Sequence, residues 1–164
     1  MKWFFVCFFL FPALYGFSQS HMSQLLKQYN TETIPYITVE ALNSIKSSVI
    51  ILDAREEKEF NISHLNNAIH VGYNLFNLDS IKHKLPHKKS TIVVYCSLGI
   101  RSEDIAEQLK KAGYEHVKNL YGGIFEWKNN NLPIYNLENK ETDSIHIFSE
   151  MWSKWLTKGT KVYD

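Results

Sequence analysis

The chain has little cysteine, little glycine or proline, and no excess of either charge. Two cysteines, Cys7 and Cys96, among 164 residues encode no disulfide framework. Seven glycines and four prolines, without internal repeats, exclude collagen-like and low-complexity architectures. Eighteen lysines and arginines stand against 17 aspartates and glutamates, without long single-sign runs. A footprint for nucleic acid or anionic lipid is therefore missing, and small molecules or proteins are the expected partners. His83 and His87 have the spacing of a helical metal pair, but Pro86 stands between them and no ligand cluster accompanies them.

Long apolar runs are absent after residue 18. Before it, "MKWFFVCFFLFPALYGFS" places one lysine ahead of an almost unbroken apolar stretch that ends in small residues. That order is the grammar of a signal peptide, with Gly16 and Ser18 preceding a cut before Gln19. Trp3 to Phe17 would reach about 23 Å as a helix against about 30 Å of hydrocarbon. The expectation is export, to a periplasm in a bacterial source, with no membrane span after cleavage and an N-terminal anchor if the signal is retained. Cys7 leaves with the leader, so Cys96 becomes the single thiol, either buried and inert or kept for its reactivity.

What remains is enough for one domain with a real core. A polar lead-in over residues 19–33 is expected to be loosely held. Thr38 then caps a short helix carrying Val39, Leu42 and Ile45. "SVIILDAR", "STIVVYC" and "HVKNL" read as strands, with "AIHV" as a shorter one. Between them, Leu75, Leu78, Ile81 and Leu85 give a helical rhythm, and "SEDIAEQLKKAGY" a second helix closed by Gly113. Alternating strands and helices predict an α/β domain with a mostly parallel sheet. The extension over residues 136–164 reads as a helix with Ile145, Phe148, Trp152, Trp155 and Leu156 along one side.

Cys96 falls at the carboxyl end of the central strand, where open α/β sheets bind ligands. The helix beginning near Ser102 points its positive end at the loop, and Arg101 adds a full charge, so both favour thiolate over thiol. Gly99 permits the backbone of residues 97–102 to curl into an anion cradle.

The ordered motifs "LDAREEKEFNISHLNNAIHV", "VVYCSLGIRS" and "LYGGIFEWKNNNLP" resemble the single-domain rhodanese-like sulfurtransferases over residues 34–135. The resemblance implies a five-stranded sheet with helices on both faces. It further implies a catalytic Cys96 that carries sulfur as a persulfide, held by the amides of Ser97, Leu98, Gly99, Ile100, Arg101 and Ser102. No metal or organic cofactor is implied. A small sulfur donor, and a thiol or cyanide acceptor, would be the partners, with Arg101 orienting the donor. Four residues separate Cys96 from Arg101, as in sulfurtransferases; related phosphatases carry one more, which disfavours phosphatase or arsenate chemistry. Because Ser97, Leu98 and Ile100 are neutral, thiosulfate is expected to be a poorer donor than a polysulfide or protein persulfide. A carrier module docking one partner protein is the alternative reading.

Asp53 and Arg55, at a strand end beside the loop, are expected to support it structurally rather than react. Glu59 and Phe60 are expected to cover the pocket, and His64 to be a hydrogen-bonded structural histidine, since an ionised cysteine needs no base. Gly122 and Gly123 read as a tight turn and Trp127 as core.

Overall fold

The computed structural model describes residues 21–85 and 87–164; the leader and its expected cleavage site lie outside them. Strands β1 (Tyr36–Ile37), β2 (Ile50–Asp53), β3 (Ile69–His70), β4 (Thr91–Tyr95) and β5 (His116–Leu120) form one sheet in the order β1-β5-β4-β2-β3. Every pairing in it is parallel. Four of these strands are legible as apolar runs. β1 has two residues, too few to carry a period.

Central β4 is buried on both faces because its side chains alternate between two cores. Val93 and Tyr95 meet helix α1 (residues 21–29), α2 (Val39–Ile45) and α6 (Gly123–Asn129) through Leu26, Leu42, Ile124 and Phe125. Ile92 and Val94 meet Ile81 of α4 (Leu78–Ile81) and Ile105 and Leu109 of α5 (Arg101–Lys111). Helices thus cover both faces. α2 begins where expected, with Thr38 Oγ1 accepting from Ala41 N–H. A further helix, α3 (Glu57–Ile62), follows β2.

Three expectations need correction. The lead-in is not loose: α1 buries Met22 and Leu26 in the core. The helix expected from Leu75 starts at an Asn77 cap, spans α4 and continues as a 3-10 turn, Lys82–Lys84, which leaves Leu75 91% exposed. The C-terminal extension is not a helix. After the hairpin strands β6 (Ile134–Tyr135) and β7 (Glu141–Thr142), β8 (Ser144–His146) pairs in parallel with β9 (Thr160–Val162), joined through a 3-10 segment, Glu150–Trp155. Ile145 and Ile147 enter the core at period two, a strand signature that the aromatic spacing obscured. Phe148 has φ 61°, a left-handed conformation that no helix continues through. Among the described residues, no helix is long and apolar enough to cross a membrane.

Candidate active site

β4 delivers Cys96 to the carboxyl edge of the sheet, and α5 starts five residues later with its N-terminus facing the same loop. Cys96 is 2% exposed and lines a pocket of about 200 Å³. The Gly99 amide donates to Cys96 Sγ at 3.1 Å. Ser102 Oγ lies 3.5 Å from the sulfur but donates its proton at 2.7 Å to Asn119 Oδ1.

The loop carbonyls are occupied from outside. Cys96 O and Ser97 O accept from the Ile124 and Phe125 amides of α6. Gly99 O accepts from Asn119 Nδ2 and from Asn30 Nδ2, just beyond α1, both at 2.8 Å. Tying carbonyls outward leaves amide N–H groups for an anion inside, the arrangement of a backbone nest. Gly99 has φ 104°, a conformation that side-chain-bearing residues resist. Gly123 does more than turn the chain: a Cβ there would stand 2.3 Å from Cys96 O, so only glycine lets α6 approach the loop this closely.

The site residues expected from sequence come together, but two play different parts. Arg101 does not present a free cation. Its Nη1 donates to Glu59 Oε2 at 2.6 Å and its Nη2 to Glu59 Oε1 at 2.8 Å, with a third bond to Ser97 Oγ. Glu59 is completely buried beneath the loop instead of covering the pocket. Ser97 Oγ donates to the same carboxylate, and Glu59 closes a capping box at the start of α3 through the Glu56 amide. The positive charge expected to meet a donor is therefore largely compensated.

Burial works against the Glu59 charge, but the bidentate Arg101 pair, with Arg55 behind it, holds the carboxyl below its usual range. A depressed acid stabilises the fold above its unfolded pKa and ceases to do so as pH falls through the folded value. Stability should thus drop on acidification below the ordinary glutamate range, and drop less in Glu59→Gln. Urea midpoints at about pH 6 and about pH 3 for both proteins check this; equal acid losses would remove Glu59 from the explanation.

Asp53 and Arg55 are wholly buried and bonded to each other, Arg55 Nη2 reaching Asp53 Oδ2 at 2.6 Å and the Ser63 carbonyl at 2.6 Å. Tyr95 donates to the same carboxylate, so the pair braces the residue immediately before Cys96. Neither lines the pocket. Phe60 stacks on His64, ring centroids 4.0 Å apart, and His64 Nδ1 contacts the Phe60 carbonyl, as a structural histidine would. Trp127 is core, its indole donating to Pro133 O.

The pocket wall was not legible in the sequence. Leu98 and Ile100 come from the loop, but Phe148 and Trp152 arrive from the C-terminal extension and Tyr73 from the turn after β3. The Tyr73 phenol donates to Asp104 at 2.6 Å; that bond and partial burial push its pKa up to about 12, so it stays neutral.

The sequence pattern of the rhodanese-like domain family matches residues 38–130. A protein named tRNA uridine(34) hydroxylase from Aster yellows witches'-broom phytoplasma is 32% identical over 121 residues, which cover 71% of this chain and 38% of that protein. The like-named Buchnera aphidicola protein is 30% identical over 132 residues, 75% of this chain and 41% of its own length. The chain thus spans about two fifths of these relatives. The rhodanese-like domain of an Anabaena protein superimposes with a TM-score of 0.57 at 26% identity, covering 63% of this chain and 80% of that one. The thiosulfate sulfurtransferase of Pseudomonas aeruginosa has the same fold, with a TM-score of 0.59 at 19% identity over 73% of this chain and 23% of its own.

Proposed function

Because the chain belongs to the rhodanese-like domain family, we propose that it is a sulfurtransferase that moves sulfane sulfur through a Cys96 persulfide. The observation that carries this reading is Cys96 lining a pocket, with the Gly99 amide on its sulfur and the Cys96, Ser97 and Gly99 carbonyls tied away. The thiolate attacks the outer sulfur of a donor; a new S–S bond forms on Sγ, and the donor's own bond breaks with its electron pair leaving on the remainder. The amides of residues 97–102 then hold the terminal anionic sulfur. A thiol or cyanide takes that sulfur and returns the thiolate.

Arg101, already paired with Glu59, offers little to a dianion, which favours persulfide or polysulfide over thiosulfate. The RNA chemistry in the names of the longer relatives is not carried over, since this chain has no charge excess to hold a polyanion. The proposal includes export, which the apolar leader supports, and the N-terminal peptide of the native protein tests that part.

Incubation with each donor and mass measurement of the intact protein tests the chemistry. One added sulfur atom, mapped to Cys96 and discharged by cyanide as thiocyanate, is expected. No adduct from any donor would refute the proposal, and fastest loading by thiosulfate would refute the donor preference.

A further inference from the structure

We infer that Phe148 and Trp152 select the donor, and that the preferred class is a small organic sulfane-sulfur compound whose carbon group packs between these two rings. The inference rests on the sulfurtransferase reading and names its substrate class. Both aromatic residues line the Cys96 pocket, and both lie beyond the stretch matched to the family, which ends at residue 130.

Phe148 does two things at once. Its ring centre lies 4.3 Å from Arg101 Cζ, covering a guanidinium that already gives three N–H bonds to Glu59 and Ser97. Its remaining surface adds to the apolar wall that Leu98 and Ile100 also line. An inorganic dianion entering here would lose water without gaining a free cation, whereas an aromatic or alkyl group would gain contact area.

The wall is held in place. The Phe148 amide donates to His146 Nδ1 at 3.0 Å, and the other ring nitrogen of His146 contacts Asp164 Oδ1 at 3.0 Å. His146 itself sits in β8, paired to β9. Trp152 meets Tyr29 of α1 edge-on, centroids 5.9 Å apart. Such preorganisation lets ring contacts contribute to binding without first being ordered. A volume of about 200 Å³ is below the ~300–1,000 Å³ typical of drug-sized ligands, and suits one ring or a short alkyl group.

Benzenethiosulfonate and thiosulfate separate the two donor types while keeping the chemistry alike. With the first, the Cys96 thiolate takes the terminal sulfur, the sulfur–sulfur bond to the sulfonyl group breaks, and benzenesulfinate leaves with the electron pair. Cyanide then removes that sulfur as thiocyanate and restores the thiolate. Neither step needs an oxidant or reductant.

The experiment compares kcat/KM for thiocyanate release from both donors in the full chain and in Phe148→Ala, Trp152→Ala and Phe148→Tyr. The wild type should favour benzenethiosulfonate by at least about tenfold, and each alanine should reduce that ratio about tenfold. The change should fall mainly on KM for the aryl donor rather than on its kcat. Phe148→Tyr should keep the ratio, which separates a ring contact from general disturbance of the loop. A wild type that favours thiosulfate, or a ratio unaltered in both alanine variants, would overturn the inference. Absence of any Cys96 adduct from either donor would instead overturn the sulfurtransferase reading beneath it.

Discussion

Cys96→Ala should lose sulfur transfer from every donor by about 10⁴-fold or more, because no other thiol is present among the described residues to form the covalent intermediate. The size follows from removing the nucleophile rather than a supporting contact. The protein should nonetheless fold: Cys96 behaves sterically as a small buried residue, and alanine fits inside its volume. Thiocyanate release measures the first half of this expectation and a thermal melt the second. Residual turnover within tenfold of wild type would mean that Cys96 is not the carrier.

The second large effect concerns stability. Arg55→Met should cost about 3–5 kcal/mol, because it leaves the Asp53 carboxylate buried with its counter-charge gone. Domains of this kind hold about 5–15 kcal/mol in total, so the loss approaches unfolding. Burial disfavours the Arg55 charge, but Asp53 outweighs it and raises the pKa, so the guanidinium stays charged. Removing both charges together, as Arg55→Met with Asp53→Asn, should recover much of the loss, since no ion is then stranded in the interior. Denaturant titration of the three proteins decides the matter; a loss below about 1 kcal/mol for the single variant would show that this pair does not hold the strand end.

The fold and the place of Cys96 in it were legible because they are written locally. An apolar β-branched run in β4, a glycine three residues after the cysteine and an arginine at the start of α5 all lie within one short stretch. The Arg101–Glu59 pair was not legible: the partners are 42 residues apart, and Glu59 could equally have been an ordinary surface glutamate on a short helix. A weak signal existed in Glu56 and Glu59, whose spacing fits a capping box with glutamate in the cap position. Phe148 and Trp152 left less trace. Read on a helix they shared a side with core residues, whereas in the structure they lie between the paired strands β8 and β9 and line the cysteine pocket.

The hydrogen bond from Asn30 Nδ2 to the Gly99 carbonyl has a consequence for modularity. Asn30 precedes the family boundary and Phe148 follows it, yet both act on the cysteine loop. The unit that builds this loop is therefore larger than the recognisable domain: recombination that cut at residues 38 and 130 would transplant Cys96 while leaving behind one of its loop's anchors and one of its pocket's walls.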